Sequence, residues 1–114
     1  MAPIITLIFL AVAAVMCVAG APLMMKKIPP NAFYGVRIPS TLGDEEAWYR
    51  ANEAFGRHLM VLGVLVAVLV TVLRFVPDVS SRSAALACGA LLISGLALIG
   101  FNAVMVARRD SKSR

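Results

Sequence analysis

Three long apolar stretches divide the chain, and each is closed by charge or by turn formers. The first runs from about Pro3 to Met25 and meets no charge before Lys26 and Lys27, which are followed by the breaker pair Pro29 and Pro30. The second covers about 58–76 and ends at Arg74, Pro77 and Asp78. The third covers about 84–107, uncharged between Arg82 and Arg108. A bilayer core of about 30 Å needs about 20 helical residues at 1.5 Å each. The first and third stretches reach that length. The second is near the minimum, and Arg74 extends it by carrying its long stem back to the interface. The short connection from Pro77 to Ser83 makes the last two helices antiparallel neighbours.

Composition supports lipid as the solvent. The apolar fraction is 61%, the charged fraction 15% and the mean hydropathy +0.88. That leaves too little polar surface for a water-soluble domain of 114 residues. The small-residue run Ala19-Gly20-Ala21 resembles a signal-peptide cleavage site. The missing basic n-region, the length of the apolar run and Pro22 just beyond the cut point instead to a retained span.

The net charge of +5 says where the loops lie. Of the 11 Lys and Arg, all except Arg74 and Arg82 fall in the segment 26–57 or in the tail 108–114. Three spans put that segment and that tail on one side. The positive-inside bias makes this side the cytoplasm and leaves the N-terminus outside. Cations placed beside apolar runs serve membrane orientation and contact with lipid headgroups, so no direct nucleic-acid binding is expected.

The segment 26–57 is the one sizeable polar loop, and it has two halves. Pro29, Pro30, Asn31, Gly35 and Pro39 make the first an irregular, rigid chain on the headgroups. In the second, Ser40 and Thr41 are capping residues, and Asp44, Glu45 and Glu46 suit a first helical turn. Trp48, Ala51, Asn52, Phe55 and Leu59 then recur at helical spacing. They predict an amphipathic interfacial helix that leads into the second span. The expected fold is therefore all-α and membrane-integral: three transmembrane helices plus an interfacial helix between the first and second.

The spacing Asn31-x3-Gly35-x-Arg37-x-Pro39-x-Thr41, followed by Glu45-Glu46-x-Trp48-x3-Asn52-x3-Gly56, resembles the signature of the SdpI family. By motif the resemblance covers about 28–65, and the flanking spans match in hydropathy alone. It implies a bacterial inner-membrane protein. It also implies immunity to a membrane-active peptide toxin, and retention of a cytoplasmic transcriptional regulator at the membrane. The ten motif residues are then the candidate binding positions. The best-known member is longer, with further spans before this unit, whereas this chain carries a single unit. The alternative is an accessory or homo-oligomeric subunit of a membrane transport assembly.

Each candidate also has a plainer structural role. Arg37 either meets a partner's anionic group or clamps the loop internally, with Glu45 or Glu46 as the nearest carboxylates in sequence. Trp48 suits an interface anchor. Asn52 shares its face and is placed to bond a backbone group of the turn-rich half. Gly56 and Gly63, a heptad apart, and the pair Ala85 and Gly89 permit close helix approach, as do Gly95 and Gly100. Asn102, inside the third span, either bonds across to another helix or, with Arg108 within two turns, already lies close to the interface; a substrate role is the third reading. His58 suits an interfacial capping group. Cys17 and Cys88 lie in apolar runs without a CxxC or a Cys/His cluster, so neither a disulfide framework nor a metal site is expected. No nucleophile, base or metal constellation is present, no acidic residue falls within a span, and no cofactor is implied. A non-enzymatic binding protein is expected.

Overall fold

The computed structural model describes residues 1–112, and these are helical apart from short connections. Helix α1 is Pro3–Met24, α2 is the single turn Pro39–Leu42, α3 is Glu45–Phe75 and α4 is Ser81–Lys112. Three of these, α1, α3 and α4, are long and apolar enough to cross a membrane. The molecule measures 55 × 21 × 18 Å, with the long axis along these helices. That length exceeds a bilayer's hydrocarbon core of about 30 Å, so one or both ends reach the headgroups or beyond.

The surface is that of a lipid-solvated bundle. Leu7, Val15, Val18, Val68, Ile93 and Leu98 each expose half or more of their area. In water such a surface would drive aggregation. Helix α3 is the centre, packed on α1 along one side and on α4 along another, while α1 and α4 barely meet. Its inner stripe of Leu59, Leu62, Val66 and Val70 is buried, and Ala13 and Met16 of α1 and Ile99 of α4 close over part of it.

The two seams differ in kind. On the α1 side, two glycines let backbones touch. A Cβ built on Gly56 would lie 2.5 Å from the Gly20 carbonyl oxygen and 2.7 Å from the Met24 nitrogen. Lower down, a Cβ on Gly63 would meet the Ala13 carbonyl at 3.0 Å, and the Cys17 thiol donates to the Met60 carbonyl at 3.8 Å. On the α4 side contact is through side chains. Leu62 fills the space over Gly95, while Ala84, Cys88, Ala103 and Ala107 are fully buried.

The helix expected to lead into the second span is continuous with it and forms the beginning of α3, because no breaker separates Arg57 from Leu59 and one buried stripe runs through both parts. At 1.5 Å per residue its 31 residues reach about 46 Å, which carries the polar turns past the hydrocarbon core. The buried small positions of α4 are Ala84 and Cys88, one residue before the expected Ala85 and Gly89; Gly89 and Gly100 have nothing within 4 Å of an added Cβ. Residues 108–112, beyond the expected third span, continue α4 as far as Lys112, and Arg114 lies outside the described residues.

The far end is tied as well. The Arg74 guanidinium donates to the Met1 carbonyl at 2.9 Å, and the Ala2 amide donates to the Ser81 hydroxyl at 2.7 Å. Arg74 thus fastens the start of α1 to the end of α3, beyond the snorkelling role the sequence suggests.

Candidate functional site

The loop between α1 and α3 begins where α1 runs out. Met25 caps that helix and Lys26 takes a positive φ of 59°, which turns the chain back over the bundle. Asn31 then organises the first turn. Its side-chain carbonyl accepts from the Phe33 and Tyr34 amides at 2.8 and 2.7 Å, and its NH2 donates to the Pro29 and Tyr34 carbonyls. An Asn satisfying the backbone two and three residues on is the Asx-turn mechanism. Arg37 closes the same turn, its Nε donating to the Asn31 carbonyl at 3.2 Å, which is an internal clamp within the turn-rich half. The Tyr34 hydroxyl reaches down to donate to the Ala19 carbonyl of α1. Burial pushes the Tyr34 phenol up from its ordinary pKa.

The second group of motif residues fastens this turn onto α3. Gly35 has φ +107°, a conformation that L side chains rarely adopt. A Cβ there would also lie 2.6 Å from the Asn52 side-chain oxygen and 3.3 Å from the Trp48 ring. Asn52 is 2% exposed, so its amide must be satisfied within the protein. Its oxygen accepts from the Val36 amide at 2.6 Å and its NH2 donates to the Trp48 carbonyl at 3.0 Å. The predicted bond from Asn52 to the turn-rich backbone is therefore present. Thr41 is also fully buried. Its hydroxyl accepts from the Ile38 amide at 3.0 Å and donates to the Val36 carbonyl at 2.8 Å. Pro39, with its fixed φ, opens α2.

Trp48 departs from its expected role. It is fully buried, not a lipid-facing anchor, and its indole N–H donates to the Ile28 carbonyl at 2.8 Å. The ring is the floor on which the loop rests, and the N–H is a latch. Helix α3 is capped by Asp44, whose carboxylate accepts from the Glu46 and Ala47 amides at 3.1 and 3.4 Å. Ser40 and Thr41 were the nominated caps, but the Thr41 hydroxyl is occupied with Ile38 and Val36. Glu45 and Glu46 sit exposed in the first turn of α3, where the helix dipole favours them.

The motif residues thus converge, with Asn31, Gly35, Arg37, Thr41, Trp48 and Asn52 bonded or packed into one assembly and Gly56 seating it against α1. What faces outward is a different set. Phe33 is 93% exposed at the tip, with Leu42 and the Arg37 side chain also exposed. At the start of α3 a hollow of about 720 Å³ is lined by Lys26, Asp44, Glu45, Glu46, Tyr49 and Arg50. Lys26 pairs with Glu53 at 3.3 Å below it. Among the described residues no group of three or more His, Cys, Asp or Glu is placed to hold a metal ion.

Asn102 and His58 lie away from this assembly, at the head of a groove between α3 and α4. Asn102 is exposed and makes no bond to another helix among the described residues. Gly95 and Leu62 both line the groove, and Leu62 packs directly over the glycine.

Comparison with known proteins bears on this arrangement. The model of the SdpI/YfhL protein family matches residues 27–106, which takes in the loop from Lys27 onward, α2, α3 and most of α4. The chain belongs to the SdpI/YfhL family. No curated protein and no solved structure matches it. Within this SdpI/YfhL chain, sequence missed Tyr34, Phe33 and the capping role of Asp44. A tyrosine two residues after a predicted turn was the available signal for the first. The acceptor of Tyr34, a helix carbonyl 15 residues back, leaves no mark in the sequence.

Proposed function

We propose that this SdpI/YfhL protein sits in the bacterial inner membrane and acts by binding, giving immunity to a membrane-active peptide toxin, holding a cytoplasmic transcriptional regulator at the membrane, or both. In this reading the loop and the C-terminus are cytoplasmic and the N-terminus is outside, as the Lys and Arg bias requires. The first turns of α3 stand at headgroup depth.

The observation that carries the proposal is how the loop is built. A simple connection between two spans needs no buried asparagine, buried threonine and indole latch. These bonds hold a preformed surface, and a preformed surface loses less entropy when a partner docks. Phe33 supplies an exposed aromatic anchor of the kind that dominates interfaces. Expression in a toxin-sensitive strain should raise survival; unchanged killing by several membrane-active peptides would defeat the immunity arm. Phe33→Ser should release a co-purifying regulator without lowering the amount of the membrane protein. A regulator retained at full level by that variant would defeat the sequestration arm. A reporter fused after Arg114 should be active in the cytoplasm alone.

A second reading, an accessory or homo-oligomeric subunit of a transport assembly, has one observation in its favour. Gly89 and Gly100 leave thin, unoccupied places on α4 where another helix fits closely. A strictly monomeric chain with no partner in native mass spectrometry would exclude it.

A further inference from the structure

The exposed face of α3 has a ridge, made by Val61 and Leu65, with a groove on either side. Toward α4 lies a groove of about 440 Å³, whose floor and wall include Leu62, Leu91 and Leu98. Toward α1 lies a groove of about 350 Å³, lined by Met24, Met60 and Val64 together with the ridge. Both contain the ridge residues, so the two are adjacent and roughly parallel. Both also end in polar groups on the loop side. Arg57 lines the α1 groove, while His58 and Asn102 line the α4 groove.

We infer that this face binds one diacyl anionic glycerophospholipid from the leaflet on the loop side, its two acyl chains straddling the Val61–Leu65 ridge. Three features select that occupant, given helices that cross a membrane. The first is the pairing: two apolar grooves separated by one ridge suit a ligand with two chains joined at one end. The second is depth. From Asn102 to Leu91 the α4 groove extends about 16 Å along the helix, close to the half-thickness of a hydrocarbon core of about 30 Å.

The third is charge. Arg57 is half exposed and lies 4.0 Å from Glu53, which is itself held by Lys26 at 3.3 Å, so two cations share one carboxylate. A guanidinium near a headgroup offers a fork suited to a phosphate. Asn102 and His58 add donors at the same end. Asn102 has no hydrogen-bond partner among the described residues, and a polar side chain beside hydrocarbon gains most from a ligand that brings acceptors.

The test uses the full chain in mild detergent with phosphatidylglycerol or phosphatidylcholine of identical acyl chains, read by native mass spectrometry. One phosphatidylglycerol should be retained about tenfold better than phosphatidylcholine, the worth of roughly one charge-assisted hydrogen bond. Arg57→Gln should remove that preference and leave phosphatidylcholine retention unchanged. Leu98→Trp should fill the α4 groove and cut retention of diacyl lipid while sparing single-chain lysophosphatidylglycerol in the α1 groove. Fluorescence of Trp48, the one tryptophan of the wild type, verifies that Arg57→Gln is folded, and far-UV circular dichroism does so for Leu98→Trp, which adds a second. Equal retention of the two lipids by the wild type overturns the inference. So does an unchanged preference in Arg57→Gln, or a second copy of the chain or a peptide occupying the face instead of lipid.

Discussion

The two sides of α3 are built on different principles. Toward α1 and the loop, backbone meets backbone through Gly20 and Gly56, and the end of the seam is laced by Asn52, Trp48 and Tyr34. Toward α4, side chains meet side chains, and a groove stays open beside Gly95. Lipid supplies no hydrophobic force to bring spans together, so packing and hydrogen bonds must do it. Near the headgroups directional bonds can be satisfied fully and fix one arrangement. Deeper in, shape alone acts, and an imperfect fit leaves room for lipid. The family motif is written almost wholly on the first side.

The contrast is broken most severely by removing the floor of the loop. Trp48→Ala empties a fully buried site and frees the Ile28 carbonyl, and should cost about 3–5 kcal/mol in reversible unfolding from mixed micelles. Trp48→Phe keeps most of the volume and loses the latch, so it should cost nearer 1 kcal/mol. If Trp48 were a lipid-facing anchor, both changes would cost little, and brominated lipid would quench the wild-type fluorescence strongly.

Gly56→Ala tests the backbone contact. The added methyl would meet the Gly20 carbonyl, the Met24 nitrogen and the Leu23 Cβ within 2.8 Å, and none of these is the end of a flexible side chain. The helices must separate, at a cost of about 1–3 kcal/mol. Lower stability should come with easier reaction of Cys17, whose thiol lies in the same seam.

Sequence foretold these two sides unequally. The three spans and the hairpin follow from apolar run lengths. The close approach at Gly56 and Gly63 follows from heptad spacing, and the Asn52 bond from its face. Trp48 was misplaced because an aromatic at the margin of an apolar run looks the same whether lipid or a folded loop covers it. Its partner Ile28 is 20 residues away, joined by a path that only the Lys26 turn and the Gly35 backbone define. On the α4 side, hydropathy gave the helix but not its rotation, so Ala85 and Gly89 were chosen one residue away from the buried Ala84 and Cys88. The grooves depend on both rotation and register, and no local pattern encodes either.

Asn52 sharpens the comparison further. Asn52→Leu retains approximate volume but leaves the Val36 amide without its acceptor, a cost of about 1–3 kcal/mol. The loss should be local. Hydrogen exchange at 33–38 should rise while the α3–α4 hairpin stays protected, since no bond of Asn52 reaches α4.

The smallest effect is expected at Gly89, which shares with Gly56 the look of a helix-packing glycine. Gly89→Ala introduces a methyl with no atom within 4 Å, so it meets no steric cost. Alanine is the better helix former by up to about 1 kcal/mol, so stability in micelles should stay level or rise slightly. Against Gly56→Ala this isolates packing from propensity, because the same atom is added to a helix interior in both. A destabilisation at Gly89 as large as that at Gly56 means that another helix occupies the α4 face in micelles. The open side of α3–α4 would then be a protein interface, and the difference between the two seams would disappear in the assembly.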